Sequence, residues 1–158
     1  MSPGKPDTYR ETDDEARALA QRLLEDARFG ALGVMQSGAP FVTRVALAGE
    51  NGILTTLISD LASHTIALRA EPFASLLIGE PGRGDPLAHP RMTLQVEAEF
   101  LAKTDENVAT YLAKQPKAEL YISFADFHLV RLRPTEVWLN GGFGKAYRLE
   151  PDDLMPST

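Results

Sequence analysis

The chain has 158 residues, a net charge of −6 and a sequence pI near 5.1, with 44% hydrophobic and 24% charged residues. That length suits one domain with a real core, and the composition is globular rather than disordered. The acidity argues against a nucleic-acid or acidic-membrane partner, so a bound anion needs local positive charge. The absence of cysteine excludes disulfides, thiolate metal sites and a cysteine nucleophile, and fits a reducing compartment. Residues Met1 to Pro6 lack the apolar core of a signal peptide, and no run is long enough to span a bilayer. The expectation is a cytoplasmic protein.

Residues 1–10 read as a flexible N-terminal arm, 11–150 as a single domain and 151–158 as an acidic tail. Thr12-Asp13-Asp14-Glu15 has the form of a capping box with Thr12 as the cap. Behind it Ala16, Leu19, Ala20, Leu23, Leu24 and Ala27 recur at helical spacing, and Gly30 is the expected helix stop. Three short apolar runs follow (Ala31–Met35, Phe41–Ala48 and Ile53–Ile58). Polar breaks at Ser37-Gly38 and Gly49–Gly52 separate them, which predicts a β-meander. Thr65–Ala70 is a short helix closed by Glu71-Pro72, and Ser75–Gly79 the next strand. Glu80–Pro90 is a loop rich in glycine and proline.

Arg91–Leu101 alternates apolar and polar residues and predicts a strand with one wet and one buried face. Thr104 caps a second helix that Pro116 closes. Two strands, Phe124–Leu132 and Thr135–Asn140, are expected on either side of Pro134. Six or seven short strands without strict βαβ alternation favour a mainly β antiparallel barrel with helical additions.

The segment Ser59-Asp60-Leu61-Ala62-Ser63-His64-Thr65 crowds three hydroxyls and an imidazole into a turn that opens a helix. A helix start offers unpaired N–H groups and partial positive charge, so this is the pattern of an anion pocket, typically for phosphate. Read locally, Ser63 would equally serve as a helix cap and Ser59 as a turn closure. Arg44, inside an otherwise apolar strand, calls for an anionic partner or an edge position. Gly141–Ala146 lacks the context of a P-loop and reads as a hairpin turn, although Phe143 between glycines is suited to covering a flat ligand. His64, His89 and His128 show no zinc-site spacing, and no Gly-x-Ser-x-Gly elbow supports a serine hydrolase. The remaining methionine and aromatic residues read as core.

Three segments together, Phe41–Val45, Leu57–Leu68 and Pro72–Ile78, resemble the pyridoxamine 5′-phosphate oxidase-like FMN-binding split barrel. The chain is most similar to the haem-utilisation (HugZ-type) branch of that superfamily. Arg91–Leu94, Phe127–Leu129 and Gly141–Ala146 extend the likeness, which covers roughly Ala31 to Leu149. The resemblance implies a six-stranded antiparallel split β-barrel with peripheral helices, a homodimer with FMN in clefts at the subunit interface, and an FMN-dependent oxidoreductase of unidentified substrate. Carried over by position, Thr43, Arg44 and Val45 would run along the flavin, and Ser59, Ser63, His64 and Thr65 would hold its phosphate. Arg91 and Met92 would approach the ring, with Phe143 and Lys145 closing the pocket. The pair His64-Thr65 stands where the oxidases usually carry Arg-Lys, which lowers the positive charge at the phosphate. Their C-terminal Arg-x-His substrate motif has no match, and the C-terminal domain usual in haem-degrading relatives is not expected here. The alternative implied is haem on the same barrel, with His64, His89 or His128 as axial ligand.

Overall fold

The structure is a computed structural model that describes residues 9–157. Of the expected N-terminal arm, residues 1–8 lie outside the described residues. Arg10 joins the sheet beside Tyr147, with its N–H donating to the Ala146 carbonyl at 2.7 Å.

Helix α1 spans Asp14–Asp26 and buries Ala16, Ala20 and Leu24, as its spacing predicts. Its cap is Asp13, whose carboxylate accepts from the Ala16 N–H at 2.8 Å. Thr12 instead donates to the Arg148 carbonyl at 3.0 Å. The helix ends before Gly30, which lies inside strand β1 (Phe29–Gln36). A Cβ at Gly30 would sit 2.9 Å from both Leu47 Cδ1 and the Leu77 carbonyl oxygen. Close packing of the sheet, not helix termination, therefore demands glycine there.

The strands β2 (Ala39–Ala46), β3 (Ala48–Glu50) and β4 (Ile53–Ser59) follow in sequence. Two hairpins are closed at Ser37-Gly38 and Asn51-Gly52, whose positive φ values (51°, 79° and 50°, 79°) give the tight turns that match strand twist. The expected three-strand meander is not formed. β2 pairs with β1 and β3 with β4, but no ladder joins β2 to β4. Two side-chain hydrogen bonds span that seam. Thr56 donates to the Ala46 carbonyl at 2.6 Å, and Thr43 Oγ1 meets His64 Nδ1 at 2.9 Å.

The remaining elements are α2 (Ser63–Ala70), β5 (Phe73–Ile78), β6 (Arg91–Leu101), α3 (Asp105–Lys114), β7 (Phe127–Asn140) and β8 (Ala146–Leu149). The sheet order is β2-β1-β5-β6-β7-β4-β3, with all pairings antiparallel. β8 is paired to the far half of β7. Six longer strands thus make a curled split barrel, with β3 and β8 as short additions. Pro134 does not break β7 in two. Gln95 faces Glu136 and Val96 faces Pro134, so Thr135 is an extra residue in a bulge that accommodates the missing N–H.

The main core fills the barrel with Leu32, Leu76, Met92, Leu94 and Val137 and is covered by α1 and by Leu68 of α2. A smaller cluster around Tyr111, Ile122 and Leu129 lies under α3. Lys114, at the end of α3, donates to the Glu25 carbonyl (3.0 Å), to Glu25 Oε2 (2.9 Å) and to the Gly49 carbonyl. Burial raises the Glu25 carboxyl, but bonds from Lys114 and the Asn51 N–H outweigh it and hold the group below its usual value. Residues 151–154 form a single 3-10 turn, and Leu154 is buried against the core. Asp153 is bonded to Arg17 at 2.8 Å.

The expectation that the remaining aromatic and methionine side chains belong to the core holds only in part. Phe29, Met35 and Leu77 are exposed on the outer face of β1 and β5. Beside them, Val42 is 65% exposed and Phe73 58%. A groove of about 660 Å³ runs along this face past Gly33, Met35, Pro40, Val42 and Phe73. Contiguous exposed apolar area of this kind is uncommon on a solvated surface.

Candidate functional site at the barrel seam

The turn between β4 and α2 sits at the seam. Ser59 closes it by accepting the Leu61 N–H at 3.1 Å, and its carbonyl accepts the Ala62 N–H at 3.1 Å. Ser63 is the first residue of α2 and not its cap. The cap is Ala62, which has no side chain to bond the first turn. The helix therefore starts uncapped, with Ser63 and His64 partly exposed and Thr65 1% exposed. Among the described residues, Thr65 Oγ1 is the one buried side-chain oxygen or nitrogen without a hydrogen-bond partner. An orphaned buried hydroxyl costs about 1–3 kcal/mol. Beside an uncapped helix start, it fits a site whose ligand brings the acceptor.

Burial pushes the His64 imidazole below its ordinary value of 6.5, which keeps it neutral near pH 7. Below pH 6.5 the unfolded chain takes up this proton before the folded one, so stability falls as pH drops from there towards the lower folded value. In urea titrations at successive pH values, His64→Gln is expected to flatten that acid limb. A limb unchanged from wild type would contradict a depressed His64.

Strand alternation separates the expected phosphate ligands from Arg44. Thr43 faces His64, whereas Arg44 points to the outer face, with its guanidinium 5.6 Å from the Phe29 ring centroid. It lines a groove of about 360 Å³ with Asp26, Phe29, Leu77 and Glu80. Val45 and Met92 are buried in the core, and Met92 is fully enclosed. Their side chains pack the barrel, so only their main chain could meet a ligand.

Arg91, Phe143 and Lys145 lie elsewhere. Arg91 opens β6 opposite Asn140, the last residue of β7, whereas Ser59 faces Phe127, the first. Along β7 those positions are separated by roughly 40 Å of strand. The two groups therefore lie at opposite ends of β7. Arg91 donates to the Leu87 and His89 carbonyls at 3.1 and 3.3 Å. It shares a groove of about 390 Å³ with Tyr9, Trp138, Asn140 and Ala146. Gly142 donates to Asn140 Oδ1 at 2.9 Å, which shapes the loop that exposes Phe143 and Lys145. Among the described residues, no carboxylate forms an ion pair with Arg44, Arg91 or Lys145.

Sequence reasoning missed Trp138 and Asn140. The available signal was the β6–β7 register, which places both on the Arg91 face. It also missed the pairing of His128 Nε2 with Asp60 at 2.8 Å, which, with Arg69 at 3.4 Å, anchors the phosphate-type turn. The hydrogen bond from His128, helped by Arg69, holds the Asp60 carboxyl below its usual value.

Fold and site together define a split-barrel protein with an uncapped, hydroxyl-lined helix start at its seam. The family described as CREG, beta-barrel matches residues 11–155, and the chain belongs to it. One solved structure is 39% identical over 94% of this chain and 100% of its own, with a TM-score of 0.87. A haem-binding protein from Mycobacterium smegmatis is 27% identical over 91% of this chain, with a TM-score of 0.82. The chain spans 61% of that protein's length. A Clostridium acetobutylicum protein related to general stress protein 26, of the pyridoxinephosphate oxidase family, shares the fold at 12% identity. Its TM-score is 0.70, with 90% of this chain and 99% of that one covered. No curated protein matches the chain. Among the described residues, no helix is long and apolar enough to cross a membrane, and no cluster of ligand-type side chains could hold a metal ion.

Proposed function

We propose that this protein binds FMN in a cleft between two copies of the chain and serves as a flavin-dependent oxidoreductase. The observation that carries the reading is the unpaired Thr65 hydroxyl at the uncapped start of α2. A phosphate supplies acceptor oxygens for this hydroxyl and for the Ser63 and His64 N–H groups of the first turn, whereas the Thr65 N–H already donates to the Ala62 carbonyl. Ser59, Ser63, His64 and Thr65, with Thr43 behind His64, would hold that phosphate. Because Arg91 and the 141–145 loop lie at the other end of β7, they would reach the ring only from the partner copy. The exposed apolar face of β1, β2 and β5 is the surface on which the copies would meet. Bound FMN supplies the electron transfer. This chain's residues orient it, exclude water and place Arg91 and Lys145 as unpaired cations near the ring.

Titration of FMN fluorescence tests this reading. Thr65→Val with Ser63→Ala removes both hydroxyls, and affinity is expected to fall about tenfold to a hundredfold, as for loss of bonds to a charged group. Thr65→Val alone removes an unpaired polar atom, so apo stability should be unchanged or higher. Unchanged FMN affinity in the double variant would move the phosphate elsewhere.

A second reading, haem in the same cleft, is supported by the half-buried neutral imidazole at the seam. The likeness to the Mycobacterium haem-binding protein also supports it.

A further inference from the structure

The groove that holds Arg91 is built by two adjacent rows of the sheet. Thr93, Trp138 and Arg148 lie opposite one another across β6, β7 and β8, and Arg91, Asn140 and Ala146 form the next row. The Arg10 N–H, bonded to the Ala146 carbonyl at 2.7 Å, brings Tyr9 to the rim. The volume of about 390 Å³ lies in the range of small-molecule sites. Tyr9 and Trp138 give the groove aromatic walls, and Arg148 steadies the indole by stacking on it at 4.1 Å.

The polar groups at the Arg91 end are donors. Arg91 uses Nη1 on the Leu87 and His89 carbonyls, and its Nε and Nη2 edge has no partner among the described residues. That edge is a fork that takes a carboxylate in two parallel bonds. Asn140 Oδ1 accepts the Gly142 N–H at 2.9 Å, which leaves Nδ2 as the uncommitted end of the amide. Among the described residues no acidic side chain lines the groove, although the chain carries a net charge of −6. One guanidinium without a second lining cation suits a ligand of single negative charge.

We propose that this groove binds an aromatic monocarboxylate, with its acid group on Arg91 and Asn140 and its ring against Trp138. The groove is built by one chain. The inference rests on the flavin reading in one respect, that a ligand so held beside the FMN ring is the substrate.

Trp138 is the chain's one tryptophan, so its emission reports on the groove directly. The probe is 4-nitrobenzoate, whose nitro ring quenches an indole in contact, and 4-nitrobenzamide is its neutral control. Titrated into the full chain, the acid is expected to quench saturably. It should bind about tenfold to a hundredfold more tightly than the amide, the difference that bonds to a charged group make. Arg91→Gln should bring the two affinities together. Asn140→Asp keeps the acceptor for the Gly142 N–H and sets a carboxylate where the donor was, so it should weaken the acid and spare the amide. Circular dichroism of both variants separates a lost site from a lost fold. Equal affinities for acid and amide in wild type, or a preference that survives Arg91→Gln, overturn the proposal. With FMN bound, saturating acid should shift the flavin's visible band, and an unmoved band overturns its assignment as substrate. An intact acid preference in a chain that fails to bind FMN upholds the groove and removes the flavin reading.

Discussion

Val42→Asp combined with Phe73→Asp is expected to give a folded monomer that no longer binds FMN. Both side chains are more than half exposed in the single chain, so their replacement removes little from its own core. In a two-fold contact each carboxylate would face apolar surface and the other copy's carboxylates. Desolvation and like-charge repulsion there amount to several kcal/mol, on the order of a thousandfold in association. Cofactor binding should fall with association, because Arg91, Phe143 and Lys145 would no longer reach the ligand held at the α2 turn. Light scattering with size-exclusion chromatography reads the mass, circular dichroism the fold, and flavin fluorescence the site. A monomer that binds FMN as well as wild type would show that one chain suffices.

Gly49→Ala is expected to be the most damaging Gly→Ala change among the described residues. A Cβ there would lie 1.9 Å from the Leu24 carbonyl oxygen and 2.8 Å from its carbon. Both are main-chain atoms of the last turn of α1, so relief requires the helix to move off the barrel. That turn is also where Lys114 ties α3 to Glu25 and Gly49, and where Leu24 is fully buried. The expected loss is about 3 kcal/mol or more, the upper range for overpacking against backbone. Gly33→Ala is the control, since its nearest neighbour would be 3.7 Å away. Urea midpoints of the two variants should differ sharply, and equal midpoints would contradict the close approach of α1 to β3.

The elements best legible in the sequence were those with one strong period. α1 and β6 declare themselves through apolar spacing of 3.6 or 2, α3 through its Thr104 cap and Pro116, and β6 spans Arg91–Leu101 as the alternation predicts. What escaped depends on contacts between distant segments. Gly30 looks like a helix stop until Leu47 and Leu77 are seen crowding it. Pro134 looks like a strand break until Thr135 is found as the bulged residue beside it. The absence of a β2–β4 ladder has no local signature, although it creates the seam on which the site depends.

The candidate site shows the same division. The Ser59–Thr65 turn was visible as a cluster of hydroxyls at a helix start, but its unpaired member was not. The separation of Thr43 from Arg44 was available from strand alternation alone, since neighbours in a strand face opposite ways. The division of the site residues between two ends of β7 needed the register of β6 with β7. That division turns a list of candidate residues into the claim that two copies build one cleft.

Complementation between two damaged chains tests that claim most directly. Ser63→Ala with Thr65→Val spoils the helix start, and Arg91→Ala with Trp138→Ala spoils the opposing groove. As homodimers both should bind FMN weakly, the helix-start variant about tenfold to a hundredfold below wild type. Coexpressed in equal amounts, they should form mixed dimers with one intact cleft each, restoring about a quarter of the wild-type sites in a flavin titration. Mixed dimers that form but recover no flavin binding would contradict a cleft shared between two copies.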